Sequence, residues 1–209
     1  MYLPLMFKSD GMRCLIIGGG EVAWRKLELL LKMKCNVTII SPRIGEGIRS
    51  AIDDQKARWI ARNYQEGDCH GYQLVIAATA SRKINQSVFD ESSSLCIPVN
   101  VVDDPERCSV IFPAVWQQGA LTISVSTEGA APFMAAAVRD RLAEQSAHLP
   151  EWIECAARFR AIVRKIENQE EKSRLYAQFV NAAQTDAPPD PPQSSDLRDW
   201  ELWLEKRGR

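Results

Sequence analysis

The sequence predicts an α/β fold class: a Rossmann-like parallel-sheet domain, then a small α+β region, then a helical C-terminal part. Three observations carry this. Short, predominantly apolar runs recur at 13–17, 36–40 and 74–78, as expected of strands buried on both faces. Helical spacing follows the first and second of these runs and recurs beyond the fourth strand. The first run ends directly on three glycines, Gly18-Gly19-Gly20.

Residues 1–7 are apolar and broken by Pro4, and 8–11 reads as a turn. The first strand is 13–17. From Glu21 to Lys34 the spacing is helical: Val22, Ala23, Leu27, Leu30 and Leu31 share a face, with Arg25, Lys26 and Glu28 elsewhere. The second strand, 36–40, is stopped by Ser41-Pro42. A helix is expected over 44–56, and 58–62 alternates like a third strand. The fourth strand is 74–78, followed by a helix over 83–91. The fifth is 96–102, where Pro98 argues against a fully hydrogen-bonded central place. Strands and helices in this order make an open sheet rich in βαβ units.

The pattern changes after Asp103-Asp104-Pro105. A short apolar run, 109–112, precedes Pro113. The stretch 119–126 alternates, with Leu121, Ile123 and Val125 on one face, and 116–119 reads as the turn between the two. Pro132 suits the first turn of a helix over 133–147. Pro150 is expected to break the chain, with two helices across 151–183. The segment 184–196 holds prolines at 188, 189, 191 and 192 and reads as a flexible linker or tail. Residues 199–204 form a short amphipathic end suited to docking. The expected boundaries are 1–112, 113–147, 148–183 and 184–209.

The formal net charge of -1, with 25% charged residues, points away from a polybasic nucleic-acid binder and an acidic solvating tail, and leaves a local basic patch open. No apolar run approaches the ~18 residues of a membrane span, and the first residues lack the charged and apolar regions of a secretory signal. No nucleic-acid or membrane partner is therefore expected. Cys14, Cys35, Cys69, Cys96, Cys108 and Cys155 form no CxxC pair, which points to reduced thiols of a cytoplasmic protein rather than a zinc site.

Gly18, Gly20 and Ala23 satisfy G-x-G-x-x-A between a buried strand and a helix. The first position serves a tight turn. The second lets backbone approach a pyrophosphate, and the third permits close helix–sheet packing. The helix amides then face the phosphates. The plain alternative is a glycine turn that binds nothing. At the end of the second strand, where an acid is expected to hold the ribose, stands Ser41-Pro42. Arg43 could accommodate a 2′-phosphate or simply be solvated, so NAD and NADP both stay open. Thr79 follows the fourth strand, at the sheet end that meets a dinucleotide, or else caps a helix.

Other chemistry is sparse. His70 and His148 stand alone, which excludes a multi-histidine metal site, and no metal is expected. GxSxG and G-K-[ST] motifs are absent. Asn100-Val-Val-Asp103-Asp104 closes a sheet strand, where a carboxylate could exchange a proton or merely cap a turn. Arg107, Arg139 and Arg141 could clamp an anionic substrate or form a solvated face.

These stretches together resemble the precorrin-2 dehydrogenase family, which includes the N-terminal part of bacterial sirohaem synthase and its stand-alone relatives. The resembling pieces are Tyr2-Leu-Pro-Leu, 14–23 with Lys26, Ile76-Ala-Ala-Thr79 with Asn85, Asn100-Val-Val-Asp103, Phe112-Pro113, and 123–132 with Arg139. They cover residues 2 to 145, and the helical part to 180 fits more loosely. The resemblance implies NAD-dependent oxidation of precorrin-2 to sirohydrochlorin in sirohaem biosynthesis. It implies a cytoplasmic homodimer assembled largely from residues after 113, with 113–147 as dimerisation and substrate-binding region and 1–112 as NAD-binding domain. The cofactor would lie on Gly18, Gly19, Gly20, Glu21, Val22, Ala23, Ser41, Pro42, Thr79 and Asn100. Asp103 would be the catalytic acid/base, ahead of Asp104. Arg107, Ser126, Thr127 and Arg139 would contact the tetrapyrrole. Glu128 departs from the family pattern and adds negative charge to that loop, and Ala131 replaces a common serine.

Some members also insert Fe²⁺ into sirohydrochlorin, so a bifunctional dehydrogenase and ferrochelatase is the first alternative. A non-catalytic NAD-binding sensor is the second. A dehydrogenase of another small acid is the third, disfavoured by the lack of a placed histidine or Tyr-x-x-x-Lys pair.

Overall fold

The structure is a computed structural model that describes residues 1–183 and 190–206. The chain divides into two compact units, Met1–Phe112 and Pro113–Arg209.

The first unit holds a five-stranded sheet, all parallel, in the order β3-β2-β1-β4-β5. Its elements are β1 (Arg13–Ile17), α1 (Glu21–Lys32), β2 (Asn36–Ile40), α2 (Glu46–Asp53), β3 (Ala57–Ile60), β4 (Leu74–Ala77), α3 (Arg82–Ser94) and β5 (Val99–Val101). The unbroken apolar runs have a direct cause. Successive side chains of a strand point to opposite faces. Cys14 and Ile16 of β1 join Ile39 of β2 and Ile76 of β4 in one core, closed by Ala23, Leu27 and Leu30 of α1 and Ile48 of α2. Leu15 and Ile17 join Ile40, Val75 and Ala77 in a second core on the other face, closed by Val88 of α3. Both faces are covered, so both sets must be apolar.

The two edge strands read less clearly, for a physical reason. β3 is only partly buried and ends at Ile60. Arg62, expected within the strand, instead turns away to pair with Asp68. Pro98 lies just before β5 and contributes only its carbonyl, which accepts from Val75 N at 3.0 Å. The chain runs outward from β1 to β3 and returns to β4 beside β1. Order reverses there, and in open α/β sheets ligands bind at such a switch point.

The second unit begins with an antiparallel hairpin, β6 (Ala114–Gln118) and β7 (Leu121–Val125). Residues 116–118, expected as a turn, pair with 121–123. The turn is Gly119-Ala120, and Gly119 supplies the φ of 56° that a tight hairpin needs. The run 109–112 forms no strand. α4 (Pro132–Gln145) packs on the hairpin. α5 (Leu149–Val163) contains Pro150 in its first turn, so that proline starts a helix instead of ending one.

α6 (Gln169–Ala182) and α7 (Leu197–Glu205) complete a helical core with α5. Its centre is Trp152, Phe159, Phe179, Trp200 and Trp203, with Phe159 and Phe179 stacked at 5.0 Å between centroids. Asn168 caps α6 by accepting from Glu170 N and Glu171 N, and Asp196 caps α7 through Arg198 N. Of the expected linker 184–196, residues 184–189 lie outside the described residues. Beyond them Ser194 O accepts from Trp200 Nε1 at 3.0 Å. No disulfide joins the cysteines; Cys14, Cys35, Cys69 and Cys155 are buried. Among the described residues no helix is long and apolar enough to cross a membrane.

Candidate functional site

β1 delivers the chain into the glycine turn at the switch point. Gly18 has a φ of 129°, and a Cβ there would stand 2.2 Å from the Ala78 carbonyl oxygen at the end of β4. Gly19, the variable position of the motif, is packed just as tightly: its Cβ would meet Arg43 O at 2.0 Å and Ser41 Oγ at 2.8 Å. Gly20 differs. It has ordinary extended dihedrals and nothing within 4 Å of an added Cβ. It is the N-cap of α1 and offers no capping side chain. The first amides of a helix lack intrahelical acceptors, so this open end presents N–H groups and a positive dipole end to an anion. Ala23 is fully buried against the sheet. Glu21 and Val22 are exposed, and Glu21 pairs loosely with Arg25 at 3.4 Å.

The end of β2 is braced against this turn. Ser41 is buried, and its hydroxyl donates to Arg43 O at 2.6 Å. Trp59 Nε1 donates to Ser41 O at 2.9 Å, and Gly45 N to Gly19 O at 2.9 Å. The Ser41 proton is thus spent on shaping the loop, with Pro42 exposed at its bend.

On the other side of the switch point, Thr79 is clamped by buried Asn85 of α3. Thr79 N and Oγ1 both donate to Asn85 Oδ1, at 3.3 and 2.7 Å, and Asn85 Nδ2 returns a bond to Thr79 O at 3.1 Å. Asn100 is buried in β5, and its Nδ2 donates to Val110 O at 3.0 Å and Cys108 Sγ at 3.4 Å. Its donors tie the 108–110 segment down alongside β5.

The chain leaves β5 through a tight turn. Val102 N donates to Ala77 O at 3.0 Å and Asp104 N to Val101 O at 3.3 Å. Asp103 is exposed there, with a left-handed φ of 59°. Such a conformation is uncommon outside glycine, though aspartate tolerates it better than most. The structure separates the two neighbouring acids. Asp104 is paired with Arg107 at 2.5 Å, and Arg107 Nε also donates to Gln86 Oε1. Among the described residues Asp103 enters no such pair. Arg107 is accordingly committed to the turn.

Lys26 of α1, placed with Arg25 and Glu28 off the apolar face in the sequence, joins this group. It is half-buried, with its ammonium 4.2 Å from the Phe112 ring centroid. Burial pushes its pKa down, while the charges of Cys108 and Asp103 oppose that shift. Burial likewise pushes the Cys108 thiol up. A signal was available: Lys26 is three residues after buried Ala23 and four before buried Leu30, which puts it on the flank of the core face.

Ser126, Thr127 and Arg139 belong to the second unit. Ser126 Oγ accepts from Glu128 N and Thr127 Oγ1 from Ala131 N, both at 3.1 Å. These bonds organise the loop before α4, where Glu128 has a φ of 53°. Arg139 is held by Asp140, with Nε to Oδ1 at 2.8 Å. Among the described residues no group of three His, Cys, Asp or Glu side chains could hold a metal ion.

Comparison with known proteins bears on both units. Residues 5–114 match the family model described as "Putative NAD(P)-binding", and 118–145 match the one described as "Sirohaem biosynthesis protein central". A siroheme synthase of Pseudomonas fluorescens is 37% identical over 187 residues, covering 86% of this chain and 39% of the relative. One from Photobacterium profundum is 35% identical over 165 residues, covering 78% of this chain and 35% of the relative. The chain therefore spans well under half the length of these relatives. A solved structure of SirC, a precorrin-2 dehydrogenase, is similar over 100% of this chain and 99% of its own, with a TM-score of 0.69 and 19% identity. That similarity is one of fold.

Proposed function

The chain belongs to the NAD(P)-binding family whose model spans residues 5–114, and from that premise we propose that it is an NAD-dependent precorrin-2 dehydrogenase, oxidising precorrin-2 to sirohydrochlorin in sirohaem biosynthesis. The observation that carries this reading is one freely presented carboxylate, Asp103, at the sheet end that also holds the glycine turn. Its neighbour Asp104 is locked by Arg107. The match of 118–145 to a sirohaem-biosynthesis region supports the choice of substrate.

The residues present fit a dinucleotide. Gly20 is open on the side where a pyrophosphate must approach, and the α1 N-terminus has no side-chain cap. Bound NAD supplies the hydride acceptor. The protein's own residues do the rest. Gly18 and Gly19 let the turn close on Ala78 and Arg43, while Gly20 to Ala23 present backbone to phosphate. Asn85 sets Thr79 beneath the nicotinamide half. Oxidation removes a hydride and a proton from the macrocycle, and Asp103 takes the proton. Half-buried Lys26 supplies positive charge at the same end of the sheet. Arg107 is a contact for the carboxylate-rich substrate, by exchanging its present partners.

Dimerisation belongs to this reading. α4 carries Phe133, Met134, Val138 and Leu142, exposed by 75, 48, 41 and 39%. The last three recur every four residues, an apolar stripe on one helix face. A second copy of the chain covers it, with 113–147 as dimerisation region. The thiol-rich, disulfide-lacking chain acts in the cytoplasm. Val138→Glu is expected to shift the chain from dimer to monomer in light scattering; an unchanged mass would remove α4 from the interface.

The test of function is a spectroscopic assay with precorrin-2 and NAD. Asp103→Ala is expected to lose most turnover, on the order of 10²-fold or more, while NAD binding persists. Undiminished turnover in that variant would overturn the role of Asp103. No turnover by the unaltered protein, with NAD bound, would favour a sensor.

A further inference from the structure

We infer that Lys26 is a substrate-binding residue, whose ammonium takes a carboxylate side chain of the tetrapyrrole beside Asp103. The inference rests on the precorrin-2 reading and deepens it. Two of the three cations of α1 are matched by an acid one turn away. Arg25 lies 3.4 Å from Glu21, and Lys32 lies 3.7 Å from Glu28, each pair four residues apart. Lys26 has no such acid. The residues three and four positions away, Val22, Ala23, Leu29 and Leu30, are all apolar. Among the described residues it enters no ion pair.

Lys26 is nevertheless drawn inward. It is half-buried, and its ammonium stands 4.2 Å from the centroid of the Phe112 ring, which fixes its direction. Burial pushes its pKa down, and the nearby charges of Cys108 and Asp103 oppose that shift. Neither is an ion-pair partner among the described residues. Burial pushes the Cys108 thiol up, and that thiol faces Val101 O and Asp104 O, each at 3.2 Å. A partly desolvated ammonium with no carboxylate in contact is held at a cost that an anionic ligand offsets. The tetrapyrrole is rich in carboxylates, and it must approach Asp103 for a proton to pass. Like charges repel there unless a cation stands among them. Arg107 has to release Asp104 and Gln86 before it can serve. Lys26 has no ion pair to release. The other anion expected at this sheet end is the dinucleotide pyrophosphate. For that group α1 offers backbone amides at Gly20, about 9 Å of helix before Lys26.

The test is equilibrium binding of sirohydrochlorin, the proposed product, and of NAD to the full chain, followed by tryptophan fluorescence and checked by calorimetry. Lys26→Met keeps an unbranched stem against Phe112 and removes the charge, whereas Lys26→Arg keeps the charge. Lys26→Met is expected to weaken sirohydrochlorin about tenfold to hundredfold. It is expected to raise the KM for precorrin-2 in similar proportion and to leave NAD affinity within about twofold. Lys26→Arg is expected to recover most of the loss. Undiminished sirohydrochlorin binding by Lys26→Met overturns the inference alone. So does an equal loss in both variants, which would mark packing on Phe112 rather than charge. A matching loss of NAD affinity also overturns it, because the ammonium would then serve the pyrophosphate or the fold. Binding of NAD but not of sirohydrochlorin by the unaltered protein overturns the precorrin-2 reading and the inference with it.

Discussion

Gly18 and Gly20 stand two residues apart in one motif, and the structure assigns them opposite vulnerabilities. Gly18→Ala places a Cβ 2.2 Å from Ala78 O and 2.7 Å from Ala78 C, both backbone atoms that cannot swing aside. It also asks alanine to adopt a φ of 129°. Backbone strain of that kind costs on the order of 1–3 kcal/mol. Forcing β4 away from the turn adds about 1–3 kcal/mol more. A loss of about 2–6 kcal/mol is a large part of a domain's usual stability. Gly20→Ala meets no protein atom within 4 Å and keeps a φ of −87° that alanine adopts freely. Alanine is a slightly poorer N-cap, but it also reduces the entropy of the unfolded chain, so the net change stays within about 1 kcal/mol. Its methyl group instead occupies the space through which a pyrophosphate approaches. Gly20→Ala is therefore expected to fold normally and to bind NAD at least about tenfold more weakly. Urea denaturation of the two variants, paired with NAD titration, separates these effects. Destabilisation of Gly20→Ala as large as that of Gly18→Ala, or undiminished NAD affinity in Gly20→Ala, would refute this division of roles.

Two further outcomes follow from the same geometry. Asp68 accepts from Arg62 Nη1 and Nη2 at 2.7 and 2.6 Å and from Gln65 N at 2.8 Å, which together hold its pKa below the ordinary 3.8. A carboxyl depressed in the folded state stabilises above its unfolded value and loses that contribution as pH falls through the folded one. Asp68→Asn is thus expected to lower stability at about pH 7 but not below the acid transition, seen as denaturation midpoints that converge in strong acid; a gap independent of pH would refute the pairing. In the second unit, Trp200 is fully buried and touches both Phe159 and Trp203. Trp200→Ala is expected to cost about 3–5 kcal/mol in chemical denaturation, and a loss under about 1 kcal/mol would mean that α7 leaves the helical core in solution.

The parts of the molecule legible in the sequence are those where one requirement acts alone. β1, β2 and β4 are covered on both faces, so apolar residues dominate them, Thr38 being the buried polar exception, and the runs stand out. The hairpin is different. Trp116 is half-buried and Gln117 and Gln118 are exposed, so solvent permits residues that mimic a turn, and only the pairing with Leu121 to Ile123 reveals a strand. Pro150 misleads for the converse reason: the first turn of a helix has no need of the N–H that proline lacks.

At the site, the motif spacing exposes Gly18, Gly20 and Ala23 because the spacing itself is the signal, although what presses on Gly18 is Ala78 beyond β4. The constraint on Gly19 comes from Arg43, and that on Thr79 from Asn85, across chain reversals that no periodicity records. The same applies to the acids. Asp103 and Asp104 are equivalent as letters; what distinguishes them is that Arg107, anchored on Gln86 of α3, reaches one and not the other.

Backbone and side chains therefore divide the work at the switch point. Affinity for a dinucleotide is built almost wholly from main chain: an uncapped helix end, two glycines pressed onto neighbouring strands, and an open third. That leaves the side chains around it free to carry chemistry, and most of them are already spent on bracing. Ser41 holds Arg43, Asn85 holds Thr79, Asn100 holds Val110, and Arg107 holds Asp104. Among the described residues Asp103, exposed beyond β5, is an acid left without such a task. A proton acceptor suits the reacting end of a dinucleotide, so Asp103, left over after bracing, is of the kind and at the sheet end that the proposed oxidation calls for.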